Sequence, residues 1–297
     1  MNSEIKTAGS ATASSFSRRN FLRSTLMATG ALGYLATRPE SARAAVVKEP
    51  GDPFRGLKMG ITTYTLHKFN LDQAIEMIQK VGVKYVSLKD FHLPMKSTKE
   101  ERQEAHEKLE KAGLTLTGGG VIAIKNTEKD VRDVFQYAKE AGMPTIVCSP
   151  DPGAVDLVEK AAKEFDIRVA IHNHGPTDKH YPSPFDVWNL VKDRDERMGL
   201  CIDVGHTVRI NVDPIDAIIK CKTRLYDFHM KDVTAATPKG TPTEVGKGVI
   251  DIPAVLRALI KIKYAGNVAL EYEAKPNDPM PGVFESYAYL RGVLAAI

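Results

Sequence analysis

Cysteine is scarce in this chain: Cys148, Cys201 and Cys221 are the three in 297 residues. An odd number at wide spacing excludes a disulfide framework, and Cys148 and Cys201 fall in apolar runs where they read as core thiols. No long hydrophobic run is present. The most apolar early stretch, from Leu26 to about Ala36, is short and rich in Gly, Thr and Ala, which excludes a membrane span there. A glycine-rich phosphate turn is also missing. The turn after the first apolar run is Thr62-Thr-Tyr-Thr-Leu-His67, which argues against a dinucleotide-binding open sheet. Low-complexity tracts are absent, and one domain accounts for the bulk of the chain.

An excess of one charge is missing too, once the N-terminus is set aside. Residues 1–44 read as a twin-arginine export signal: Ser17-Arg-Arg-Asn-Phe-Leu22, an apolar stretch, then Ala42-Arg-Ala44 as a small-x-small cleavage pattern. This segment carries six basic residues against two acidic ones. The chain's formal charge of +4 therefore belongs to the leader, and the remainder is neutral. A neutral body argues against nucleic acid as a partner. The expected location is periplasmic or otherwise exported. The expected partners are the export machinery and a small-molecule substrate, with no stable membrane insertion after cleavage; a homo-oligomer is left open. Residues 45–56 read as an N-terminal arm or linker.

What is present, from residue 57 to residue 297, is one repeated unit: a short apolar run, a polar turn and an amphipathic helix. Eight strands are predicted at Leu57–Thr63, Lys84–Lys89, Thr115–Val121, Thr145–Ser149, Arg168–His172, Gly199–Asp203, Leu225–His229 and Val268–Glu271. Between them apolar residues recur at helical spacing, as in Leu71, Ile75 and Ile78, or Val131, Val134, Phe135 and Ala138. Asn70, Ser97, Asp151 and Asp213 stand where N-caps are wanted, and Gly82, Gly113 and Gly142 follow helix ends. Eight such units predict a single (β/α)8 barrel, a TIM barrel. Gly118-Gly-Gly120, inside the third strand, is expected to let something approach the barrel mouth.

The last four predicted strands each end on polar groups: His172 and His174, Asp203, His229 and Lys231, and Glu271 and Glu273. Alternate strand residues share a face. These groups fall in one phase and Ile171, Leu200, Ile202, Tyr226, Phe228, Met230, Val268, Leu270 and Tyr272 in the other. A shared divalent metal compensates the burial of so many polar groups. Imidazole plus carboxylate suits Mn, Co, Zn or Fe, with Mg also open. The expected ligands are His172, Asp203, His229 and Glu271, with His174 as the competing fifth-strand ligand. A strand-end histidine is by itself more often a hydrogen-bonded core residue; the ordered set on four successive strands outweighs that reading. Gly205 is expected to bend the chain so that His206 reaches across the pocket. Lys89, His92 and Glu273 are expected at the mouth as substrate contacts, together with His174, and His67 as a further lining residue. His106 and His180 read as surface residues.

These residues resemble the sugar phosphate isomerase/epimerase family, the xylose isomerase-like barrels. Asp203-Val-Gly-His206, His229-Met-Lys-Asp232, Gly246-Lys-Gly248-Val-Ile-Asp251 and Ala269-Leu-Glu271 carry the resemblance. It implies a divalent metal bound at the ends of strands five to eight, with sugar isomerisation or epimerisation by proton abstraction beside a carbonyl. Glu271, His206 and Lys231 become the expected catalytic residues. One departure matters. Many members have Glu-Asn-His on the fifth strand, where this chain has His172-Asn173-His174, which argues against proton exchange between two symmetric carboxylates. Related keto-sugar lyases and hydratases, which eliminate on oxidised glycosides, are the competing reading. A non-catalytic sugar-binding barrel is the third. No arginine cluster or phosphate turn stands at the seventh and eighth strand ends, so an unphosphorylated sugar is expected.

Overall fold

The computed structural model describes residues 51–297. The export signal and cleavage pattern expected in residues 1–44, and the start of the arm, lie outside the described residues. The rest of the arm, 51–56, is a turn whose Phe54 ring meets Tyr287 edge-on at 6.4 Å.

Among the described residues ten strands form: β1 Lys58–Thr62, β2 Tyr85–Leu88, β3 Thr115–Ile124, β4 Thr145–Pro150, β5 Arg168–His172, β6 Met198–Asp203, β7 Leu225–Met230, β8 Asp232–Val233, β9 Pro242–Thr243 and β10 Asn267–Leu270. Eight of them close a parallel barrel in the order β1-β10-β7-β6-β5-β4-β3-β2, while β8 and β9 pair as a small antiparallel ribbon. The expected (β/α)8 barrel is therefore the fold, and each predicted stave is present within about three residues of its bounds. The helices are α1 Leu71–Val81, α2 Lys99–Lys111, α3 Glu128–Glu140, α4 Val155–Phe165, α5 Pro184–Val191, α6 Val204–Arg209, α7 Pro214–Cys221, α8 Ile252–Lys261 and α9 Met280–Ala296. None is long and apolar enough to cross a membrane.

Local signals explain most boundaries. Asn70 and Gln73 cap α1 reciprocally, and Gly82 ends it in the left-handed conformation at φ 75°. Asp213 caps α7 as expected. Two expected caps differ. Thr98, not Ser97, caps α2, because Glu101 lies three residues beyond Thr98 and closes the box. Asp151 caps no helix with its side chain; a 3-10 turn at Pro152–Ala154 intervenes, and the carboxylate accepts from the Asn126 N–H at 3.2 Å.

The alternation expected of the strands holds, with one exception. Ile171, Leu200, Ile202, Phe228, Met230, Val268, Leu270 and Tyr272 all join the main core between barrel and helices, whereas Ala170 and Cys201 join a separate small cluster with Val147. Tyr226 leaves the outward series. The β6–β7 register pairs Leu200 with Leu225 and then Cys201 with Asp227, so Tyr226 is an extra residue, and it packs against that small cluster. The expectation for Gly118–Gly120 is also corrected. Side chains there would collide with the neighbouring strand, a Cβ at Gly118 standing 2.6 Å from the Thr145 carbonyl oxygen. What approaches is the sheet itself: Gly118 and Gly120 let β4 come close to β3, and Gly119 makes room for the Met143 side chain.

Candidate active site

The four strands β5, β6, β7 and β10 carry their polar ends to one place. His172, Asp203, His229 and Glu271 each present a donor atom, and the four atoms lie within 4.8 Å of one another. All four residues are buried, Asp203 completely. His172, rather than His174, supplies the fifth-strand nitrogen. His174 stands one layer out, with its ring centroid 4.3 Å from that of His172 and its Nδ1 3.2 Å from Asp178.

Asp203 has a second task. Its Oδ1 accepts the His206 N–H at 2.8 Å and starts α6, which turns His206 over the donor cluster. The Asn173 carboxamide holds both sides of this junction, accepting from the Asp203 N–H at 3.0 Å and donating to Thr207 Oγ1 at 3.3 Å. Gly205 does not bend the chain as expected, since it lies within α6. A Cβ there would meet Lys231 Cδ at 2.8 Å, so the glycine makes room for that lysine. Below, Asp232 receives four backbone N–H groups, from Val233, Gly246, Gly248 and Ile250, and so fixes the glycine-containing loop that leads into α8.

Lys231 is the electrostatic hub. Its Nζ stands 3.0 Å from Asp203 Oδ2, 2.9 Å from Glu271 Oε2 and 2.6 Å from Glu273 Oε1. Burial disfavours the ammonium, but the three carboxylates outweigh it and raise Lys231 well above its usual value. Burial likewise works against the charged forms of Asp203 and Glu271. For Asp203 the Lys231 charge leads the opposing terms, and for Glu271 Lys231 and His229 do so; both carboxyls end well below the usual range. Glu273, less deeply placed, goes the other way: burial raises it in spite of Lys231. Burial pushes His172 down to about 3 and His206 down to about 4. His229 is opposed by burial but held up by Cys201 and Glu271, and it bonds to His172 through Nδ1 and Nε2 at 3.1 Å.

A divalent cation fits these residues. Three carboxylates, Asp203, Glu271 and Glu273, stand around one ammonium, and the only other positive charge among them is the proton that holds His229 in its charged form. Asp203 Oδ2 is fully buried and receives no hydrogen bond, since Lys231 lies at ion-pair distance without the alignment of one. The imidazole–carboxylate mixture is the one that borderline first-row ions take. His229 would hold such a cation in its neutral form, without the proton it carries here.

Above the cluster opens a cavity of about 760 Å³ lined by Tyr64, Lys89, His172, His174, His206, Glu271 and Glu273, among others. The expected mouth residues Lys89, His174, His206 and Glu273 are thus in place. His92 is not. It is buried beneath the first β–α connection and borders a different cavity, next to Leu71 and Leu93, because the Lys89–His92 turn points its ring back toward α1. His67 stacks behind Tyr64 at 5.1 Å and does not line the cavity. His180 is exposed, as expected, and also borders the cavity together with Asp178; so does Tyr64. Tyr64 sits in a 3-10 turn, Thr63–Leu66, and His180 in the loop after β5, which carried no sequence signal that would have found it. Tyr64 follows a strand end, which was a usable one.

The profile of the Xylose isomerase-like TIM barrel family matches residues 70–293. The chain belongs to this family. A curated relative, the rhizopine catabolism protein MocC of Rhizobium meliloti, is 30% identical over 141 residues, 42% of this chain and 42% of its own length. The match therefore spans less than half of that relative. Two solved structures share the fold. The E. coli 3-keto-D-glucoside 4-epimerase YcjR has a TM-score of 0.63 at 17% identity, over 80% of this chain and 99% of its own. An L-ribulose 3-epimerase has a TM-score of 0.66 at 13% identity, over 81% and 95%.

Proposed function

We propose that this family member is a divalent-metal-dependent isomerase or epimerase of an unphosphorylated sugar, exported through the twin-arginine route. The reading is carried by one observation: four donors from four successive staves converge within 4.8 Å beneath an open cavity. Two fold relatives named as sugar epimerases agree with it. Bound at His172, Asp203, His229 and Glu271, the cation supplies Lewis acidity toward a carbonyl or hydroxyl pair. The two glutamates divide the remaining work. Glu271 is held strongly acidic by Lys231 and His229, which makes it a good ligand and a weak base. Glu273 is raised by burial, lies beside the same lysine and lines the cavity, so it suits removal of the proton next to the carbonyl. His206, which lines the cavity, faces the developing oxyanion as a donor, whereas Lys231, expected in the same role, is buried outside the cavity lining and holds the three carboxylates together. The single imidazole in place of a second carboxylate favours returning the proton to a neighbouring carbon over inversion between two symmetric bases.

Elimination on an oxidised glycoside is the second reading. It uses the same proton removal, with neutral His206 hydrogen-bonding the leaving oxygen, and the cavity's volume of about 760 Å³ favours it. Metal analysis of the purified protein, followed by NMR of sugars in deuterated water, tests both. One bound divalent ion and deuterium at a single carbon without loss of a group is the isomerase result; release of water or an aglycone is the lyase result. Glu271→Gln is expected to keep the fold, lower the metal content and abolish turnover. Full deuterium exchange in that variant, or in metal-stripped protein, overturns the proposal.

A further inference from the structure

We propose that the cavity holds a glycoside of at least two rings, with the reacting sugar on the donor cluster and the second ring on an aromatic shelf formed by Tyr64 and Phe91. The inference rests on reading this cavity as a sugar site.

Three observations carry it. First, the cavity of about 760 Å³ stands in the upper part of the roughly 300–1,000 Å³ range of small-molecule pockets, more room than one monosaccharide fills. Second, aromatic surface runs from Tyr64, in the cavity lining, out to Phe91, which lies just beyond that lining. Tyr64 lines the same cavity as Glu271 and Glu273. Its ring stacks on His67 at 5.1 Å and meets Phe91 at 6.0 Å. Third, Phe91 is 54% exposed, the most exposed large apolar side chain among the described residues. Nothing in the fold needs it there, since it follows β2 in a loop and joins neither core cluster.

The chemistry of a pyranose matches this division. Its hydroxyl edges want charged and polar partners, which the cluster provides, whereas the C–H face of its ring packs on aromatic surface. Lys89 fixes the shelf. Its Nζ sits 5.8 Å from the Phe91 centroid, donates to the Val121 carbonyl at 2.9 Å and pairs with Asp90 at 2.7 Å, so it borders both cavity and shelf. The barrel order puts β1 opposite β5, so the shelf faces the loop of Asp178 and His180 across the mouth. A long ligand is flanked on both sides there.

The test is calorimetric titration of the purified protein, its metal content recorded, with glucose and with the disaccharides cellobiose, maltose and trehalose. At least one disaccharide is expected to bind about tenfold more tightly than glucose. Phe91→Ala, a change at an exposed side chain, is expected to erase that difference and leave glucose binding unchanged. Equal affinity for glucose and every disaccharide, no disaccharide binding at millimolar concentration, or an equal loss for both sugars in Phe91→Ala overturns the proposal. So does a change of oligomeric state in Phe91→Ala with sugar binding intact, which assigns the face to a second copy of the chain. A protein without metal or turnover that keeps the disaccharide preference removes the isomerase reading and leaves the shelf standing. Deuterium exchange into monosaccharides without that preference does the reverse.

Discussion

Asp203 shows how one side chain carries two loads that a pair of substitutions can separate. Its Oδ1 caps α6 through the His206 N–H, and its Oδ2 points into the donor cluster. Asparagine caps a helix about as well as aspartate, but it brings no charge to a cation or to Lys231. Asp203→Asn is therefore expected to lose metal while keeping α6. Asp203→Ala loses the cap as well and should be less stable than Asp203→Asn by about 1 kcal/mol in urea denaturation of the metal-stripped protein. Equal stability of the two variants would show that the cap contributes nothing. At this scale the sequence was informative where strand phase decides and silent where loops decide. Asp203, His229 and Glu271 were legible because period-two alternation puts each in the inward series at a strand end. The choice between His172 and His174 was not, since they share a phase and only depth in the barrel separates them. His92 was misplaced for a different reason: a turn follows β2, and alternation stops at the last strand residue.

Among the elements, β3 makes the sharpest demand on composition. It passes close to both neighbours, and its register shifts against each. Gly118 stands where an added Cβ reaches 2.6 Å from the Thr145 carbonyl oxygen, a backbone atom that cannot swing aside. Gly118→Ala is expected to cost about 1–3 kcal/mol, the usual range for overpacking, measured as a fall in the urea midpoint at unchanged slope. A neutral substitution would mean that β3 and β4 separate more easily than their packing indicates. The helices and strands themselves were legible because caps, apolar period and terminal glycines agree with one another. The bulge at Tyr226 was not. A strand with one extra residue looks regular in sequence, and only pairing with β6 reveals the surplus.

For the whole molecule, the buried imidazoles set the response to acid. His172 and His206 titrate near 6.5 when unfolded but at about 3 and about 4 in the fold, chiefly because burial disfavours their charged forms. The unfolded chain therefore binds protons that the native state refuses. Their contribution to stability is complete above pH 6.5 and is lost as pH falls toward 4, at up to about 1.4 kcal/mol per pH unit for each ring. His229 has the opposite sign. Its raised value adds stability that is fully present below pH 6.5 and is lost only as pH rises through its native value. It contributes no slope in the acid window. Asp203 and Glu271, both held low, stay ionised in the native state there, whereas Asp227, raised by burial to about 6, takes up a proton in this window and offsets part of what the two rings lose. The metal-stripped protein is accordingly expected to be most stable near pH 6.5 and to weaken from there to pH 4.5, as read by urea melts at three or four pH values. His172→Gln should flatten that limb. Added divalent metal should steepen it, because protons then compete with the cation for His172 as well as with the fold. An acid limb indifferent to both His172→Gln and metal would mean that this ring neither stays neutral in the native protein nor takes part in binding a cation.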